Sequence, residues 1–282
     1  MCIRDSPQTL TYVGNMGALL RSLGRFEEAE PYHRECLEGR RRVLGDEHTQ
    51  TLDAINSMGY FFAIQQRFDE AEPFHREALE TSRRVYGDSH PATLDALNDM
   101  GALLATRGNL EEAETLFLEV IEIQKAVSGP SSPEILPTMN NMGHLLVQQG
   151  KHAEAEPYFR DALNIRRQLL GDENPETLVS ISNMGSLFQR QGKLEEAEAH
   201  FREAYLARRR ILGDEHPLVL AQTRGLIRVL VEQARAEEAR ELLRDFLDTS
   251  DLPADHTTRL AVSEMLDELS SPEEGAGDGG GD

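Results

Sequence analysis

Basic residues, cysteines and long apolar runs are all scarce in this chain of 282 residues, and each shortage excludes something. Lys and Arg together number 29 against 50 Asp and Glu, for a formal charge of −21. A face able to displace counterions from duplex nucleic acid or from an anionic membrane is not expected, so neither is assigned as a partner. The acidic excess reads first as a source of solubility. Two cysteines exclude a disulfide framework. Cys36 takes the slot that Ala78, Ala162 and Ala204 fill at the same spacing, so it reads as a small buried core residue. No apolar run approaches the roughly 18 residues of a membrane-spanning helix, and no charged-then-apolar leader opens the chain, so a cytoplasmic location is expected. Nucleophile elbow, phosphate loop, metal-spaced Cys/His cluster and paired-carboxylate pocket are also missing. No catalytic residue, metal site or cofactor is assigned, and the chain is expected not to be an enzyme.

What is present is a period. Gly45, Gly87, Gly129, Gly171 and Gly213 fall 42 residues apart. Met16-Gly17, Met58-Gly59, Met100-Gly101, Met142-Gly143 and Met184-Gly185 keep that spacing, as do Ala29, Ala71, Ala113, Ala155, Ala197 and Ala239. Such a period means an array of units, none of which can bury its apolar face without a neighbour. This overrides the prior of one or two domains that length alone suggests. Six units are bounded at 7–48, 49–90, 91–132, 133–174, 175–216 and 217–248. The opening residues 1–6 match the translation of a transposase-type sequencing adapter. They read as an artefact, and the chain as a fragment of something longer.

Within a unit, Leu52, Ile55, Met58, Gly59 and Phe62 recur at three- and four-residue steps, the pattern of a helix with one buried stripe. A second stripe follows at Phe68, Ala71, Phe74, His75, Ala78 and Leu79. Gly24, Gly108, Gly150 and Gly192 fall between the stripes, where a left-handed residue ends the first helix. Pro91, Pro133, Pro175 and Pro217 are placed at first helical positions, after N-cap slots held by His90, Ser132, Asn174 and His216, with His48 in the same slot. His33 and His75 occupy the slot of Phe117, Phe159 and Phe201, so they read as core rather than as ligands. The runs Arg40–Arg42 and Arg208–Arg210 end second helices and read as solvated faces beside the carbonyl end of the dipole. Glu27-Glu28, Glu111-Glu112 and Glu195-Glu196 mark exposed first turns.

The order of aliphatic, Met/Leu-Gly, aromatic or Leu, Gly-Arg/Lys, Glu-Glu-Ala-Glu and Leu-Gly-Asp-Glu-His-Pro resembles the tetratricopeptide repeat in its long, kinesin light chain-like form, from Pro7 to about Asp248. The fourth link departs as Gly129-Pro130-Ser131-Ser132-Pro133, and the sixth unit has Leu226-Ile227 in place of Met-Gly. The resemblance implies an all-α fold, a right-handed α-solenoid of six helix-turn-helix repeats, here with a capping helix at 253–269 bearing Val262, Met265, Leu266 and Leu269. Residues 270–282 are rich in glycine and acid and are expected to be disordered.

Opposite the buried stripe of each first helix lie Asp53, Ser57, Tyr60 and Ile64, flanked by Asn56. The resemblance implies that this stripe lines a concave groove for peptides. Asn56, Asn98 and Asn140 form one row along it, and Asn15, Asn141 and Asn183 another, broken by Asp99. Asparagine both donates and accepts, which suits an extended peptide backbone. Arg21, Arg190, Arg224 and Arg228 share the face, with His144, Gln148 and Gln189 between them. Arginine holds carboxylates in paired hydrogen bonds. Arg190, Arg224 and Arg228 are therefore expected to prefer an acidic segment, unless Glu232 or another acid of the array occupies them.

The leading reading is a non-catalytic protein–protein interaction scaffold for an extended, acidic peptide. A second is the sensor or scaffold portion of a larger signalling protein whose nucleotide-binding or enzymatic domain lies upstream. A third is self-association through the N-terminal hairpin, around Leu19, Leu20 and Phe26.

Overall fold

A computed structural model describes residues 6–270. Among them are thirteen α-helices, one 3-10 turn and no strand. Twelve helices run in order, two to a repeat: α1 (Pro7–Ser22) then α2 (Phe26–Leu44), α3 (Thr49–Ala63) then α4 (Phe68–Tyr86), α5 (Pro91–Arg107) then α6 (Leu110–Ser128), α7 (Leu136–Gln148) then α8 (His152–Leu170), α9 (Pro175–Arg190) then α10 (Leu194–Leu212), and α11 (Pro217–Glu232) then α12 (Ala236–Thr249). A last helix, α13 (Thr257–Ser270), follows. No helix among the described residues is long and apolar enough to cross a membrane. The helices divide into two compact units, up to Leu145 and from Leu146, with the division inside α7.

In the first unit α1 packs on α2, α3 on α4 and α5 on α6, and each second helix also packs on the next first helix, α2 on α3 and α4 on α5. The cause lies in small residues at the crossings. Ala29, Ala71 and Ala113 are wholly buried, and a Cβ placed on Gly59 or Gly101 would come within 2.7 Å of the His75 or Phe117 ring. Only glycine lets those rings sit against the facing backbone. Phe61 and Phe62 stack edge-on at 5.4 Å between ring centroids, and Phe61 also meets Phe26 at 6.2 Å and His33 at 5.0 Å. Each such buried aromatic contributes about 1.5–3 kcal/mol through area removed from water. Leu20 and Phe26 are thus packed, and what α1 and its C-cap leave exposed is Tyr12, Met16 and Leu19 on the helix and Leu23 at the cap. This corrects the expectation of an open patch around Leu20 and Phe26.

The second unit repeats the scheme, α9 on α10, α11 on α12, α8 on α9 and α10 on α11, with α13 against α12 and α11. The last helix begins at Thr257, after an N-cap at His256 whose Nδ1 accepts from the Thr258 amide at 3.2 Å. Thus Pro253 lies before it, and Ser270 is its final residue rather than the start of a tail. The remainder of the tail, 271–282, and residues 1–5 of the adapter-like segment lie outside the described residues. Ser6 caps α1, its hydroxyl accepting from Thr9 N at 3.1 Å.

The links obey one geometry. Gly171 has φ 81° and ψ 169°, a region that only glycine enters without strain, and Gly45, Gly87, Gly129 and Gly213 share it within a few degrees. After the link, imidazole Nδ1 of His48, His90 and His216 accepts from the amide two residues on at 3.2 Å, as Oδ1 of Asn174 does at 2.9 Å. Ser132 makes no such bond. There the chain takes a 3-10 turn over Pro133–Ile135, and α7 starts only at Leu136. Pro137 explains the difference, because it cannot donate the i→i−4 bond that would close a first α-turn beginning at Pro133.

The arginine runs are not plain solvated faces. Arg208 is 6% exposed, and its Nη1 donates to Gln222 Oε1 at 2.6 Å on α11, while Arg166 Nη1 donates to Ser180 Oγ at 2.7 Å on α9. Arg40 reaches Gln50 O at 2.7 Å in the first unit. One arginine of each run also bridges to the next hairpin: Arg41 to Glu77 at 2.5 Å, and Arg209 to Asp245 at 3.6 Å. Arg83 to Glu119 and Arg167 to Glu203 complete the pattern inside each unit. Half-exposed pairs of this kind contribute about 0.2–1 kcal/mol each.

Candidate functional site

The residues expected to bind are carried by the first helices of the repeats. In the first unit, Asn15 and Arg21 stand on α1, Asn56 and Tyr60 on α3, Asn98 on α5, and Asn140, Asn141 and His144 on α7. Asn15 and Arg21 meet in a cleft of about 170 Å³ with Thr11, Ser57, Arg40 and His33. The Arg21 guanidinium lies 4.7 Å from the Tyr60 ring centre, a cation–π contact between neighbouring repeats. Asn141 Nδ2 donates to Asn98 Oδ1 at 3.1 Å, so these two members of the asparagine rows satisfy each other. Asn56 is half-buried, and its Oδ1 has no partner among the described residues.

In the second unit, Asn183 and Arg190 lie on α9, and Arg224 and Arg228 on α11. The latter two line one cleft with Glu264, Met265, Glu268 and Leu269 of α13. Glu232 does not occupy them, since its Oε1 accepts from Gln189 Nε2 at 2.7 Å. Arg190, Arg224 and Arg228 are exposed and make no ion pair or hydrogen bond among the described residues. The other arginines of that unit are engaged: Arg160 with Glu156, Arg202 with Glu198, Arg210 with Glu173, Arg235 with Glu238, Arg240 and Arg244 with Glu237, and Arg259 with the Leu247 carbonyl.

Buried titratable groups cluster beside this face in the first unit. Burial pushes His33 and His75 below the ordinary histidine range, with Arg21 adding to the shift at His33, so both rings are neutral core groups as their phenylalanine counterparts suggest. Burial raises Asp99 to about 6, helped by Asp95 one turn earlier. Asp99 entered the sequence reading only as a break in an asparagine row. The signal that marks it out is a carboxylate in a stripe slot where other repeats carry Asn15, Ser57, Asn141 and Asn183.

Comparison with known proteins fits this geometry. A tetratricopeptide repeat profile matches residues 51–126, 134–205 and 176–250, and a second one matches 9–50. Among solved structures, BtubC (BKLC) from P. vanneervenii aligns with TM-score 0.68 at 15% identity, covering 89% of this chain and 96% of that one. Repeats of a Podosopora anserina kinesin light chain, described as nearly identical TPR-like repeats, align with TM-score 0.61 at 18% identity, covering 73% and 98%. PilW, a type IV pilus biogenesis factor, aligns with TM-score 0.63 at 15% identity, covering 94% and 100%. At these identities the likeness is one of fold. The search of curated proteins returns no match. The chain belongs to the tetratricopeptide repeat family, a scaffold fold typical of protein–protein interaction, and kinesin light chain-like repeats are among its structural neighbours.

Proposed function

We propose that the chain is a non-catalytic scaffold whose first-helix face holds an extended peptide, with an acidic stretch of that peptide seated on Arg190, Arg224 and Arg228. One observation carries the reading. In a chain with 50 acidic residues, these three exposed arginines find no partner among the described residues, although the other arginines around them do. A guanidinium kept free of so many nearby carboxylates is available for a ligand's carboxylates, which it grips in bidentate fashion. Glu264 and Glu268 share the cleft of Arg224 and Arg228, so a peptide competes there with α13, whereas Arg190 stands clear of it. The test is a peptide array probed with wild type and with Arg190/Arg224/Arg228→Ala. Loss of acidic peptides from the triple variant is expected, and equal binding by both proteins overturns the assignment.

A second reading, self-association, is favoured by α1. Tyr12, Met16, Leu19 and Leu23 form an exposed stripe, with Tyr12 74% and Leu23 61% exposed, whereas the corresponding Met58, Phe61, Met100 and Leu103 are buried under the preceding second helix. Light scattering of wild type and Met16→Glu decides it: a wild-type monomer at high concentration removes this reading.

A further inference from the structure

Asp99 sits where a carboxylate has little to gain. It lines a cleft of about 270 Å³ in the first unit, formed by Tyr60 and Ile64 at the end of α3, His75 on α4, and Leu103 and Thr106 on α5. The walls are mostly apolar, and Asp99 has no hydrogen-bond or ion-pair partner among the described residues. His75, 3% exposed, lines the same cleft, and its Nδ1 is buried without a partner. The Thr106 hydroxyl has already given its proton to the Ala102 carbonyl at 2.8 Å, so what it offers a ligand is a lone pair. Of the polar side chains lining this cleft, which include Tyr60 and His75, Asp99 and Thr106 present acceptors beside the apolar walls.

We infer that this cleft takes a lysine or arginine side chain of the bound peptide, its methylene stem against Tyr60, Ile64 and Leu103 and its cationic head on Asp99. A long basic side chain has the complementary construction, an apolar stem with a donor-only charged tip. The Tyr60 ring already holds one cation, the Arg21 guanidinium at 4.7 Å from its centre, so it is a surface that takes cationic groups. Burial and the neighbouring Asp95 hold the empty carboxylate at a raised pKa, and an arriving cation relieves that cost. The structural alternative, that Asp99 fixes the fold, lacks any partner through which to do so. A basic residue in the first unit is a different demand from the acidic stretch proposed for the second.

The inference rests on the first-helix face being a peptide surface, and its test is separable from that reading. Resonances of the labelled protein are followed by NMR during titration with N-acetyl-lysine methylamide, and with the norleucine analogue, which keeps the stem and lacks the charge. The lysine probe is expected to shift Tyr60, Ala102 and Thr106 and to bind at least tenfold more tightly than norleucine. Asp99→Asn removes that preference, while Asp95→Asn, which deletes the same charge one turn away on an exposed position, keeps it within twofold. Equal binding of the two probes, lysine preference surviving in Asp99→Asn, or equal loss in both variants overturns the inference, the last because it would mark simple attraction to an acidic chain. The Arg190/Arg224/Arg228→Ala variant retains lysine binding. If acidic peptides fail on wild type while the lysine probe binds here, the acidic reading falls and this one stands.

Discussion

Asn141 Nδ2 donates to Asn98 Oδ1 at 3.1 Å, tying the first helix of the fourth repeat to that of the third. A row of amides that looks free to grip a peptide is therefore in part self-satisfied, and a ligand at this point must break one hydrogen bond to gain another. A net contribution of about 0.5–1.5 kcal/mol is expected for such a bond. A double-mutant cycle over Asn98→Ala and Asn141→Ala, read by urea unfolding, should return a coupling energy of that size. Strict additivity would show that the contact contributes nothing in solution.

His75 should make stability depend on pH. Burial lowers its pKa, with a hydrogen bond to the Gly59 backbone opposing, so below about pH 6.5 the unfolded chain takes up a proton that the folded chain resists. Stability then falls as pH drops through that window. His75→Phe, which installs the ring that Phe117 provides one repeat on, removes this component. Wild type is expected to lose up to about 1 kcal/mol more than the variant between pH 7 and 5.5. Parallel unfolding curves for the two proteins at both pH values would contradict it.

Where an aromatic ring faces it, as Phe117 faces Gly101, the glycine of the Met-Gly step is predicted to tolerate no side chain. A Cβ at Gly101 would lie 2.7 Å from the Phe117 ring, and Gly143 is the buried counterpart in the next repeat. Gly101→Leu and Gly143→Leu should each destabilise by about 1–3 kcal/mol through overpacking. Thermal melts unchanged from wild type would refute the packing scheme.

Two backbone substitutions should act with opposite signs. Gly171→Ala forces a Cβ into a conformation reserved for glycine and should cost about 1–3 kcal/mol. Gln66 stands in the left-handed hinge slot held by glycine in repeats one, three, four and five, at φ 60°, so Gln66→Gly should stabilise by about 0.5–1 kcal/mol. Chemical unfolding of both variants against wild type checks the pair, and a shared sign would be the failing result.

The hairpins, their hinges and the buried alanines were legible because each follows from spacing and size, and the period averaged away local noise. His33 and His75 were legible as core for the same reason, through the phenylalanines in register with them. Arg208 was not, since a run of three arginines gives no sign of which member turns inward to meet Gln222 fourteen residues on. The start of α7 was missed because Pro133 looks like its sister prolines, while the decisive residue is Pro137. Of the candidate site, the helix that carries each arginine could be placed from periodicity. The Asn98–Asn141 bond and the Asp99 cleft depend on distances between repeats, which no single unit encodes.

The identical glycine joints have a consequence for how such a chain can change. Excising or copying one 42-residue cassette within a unit would leave both seams flanked by the residue types already found at the others. The length of the array can then be adjusted by copy number, with each cassette's exposed stripe residues free to drift on their own.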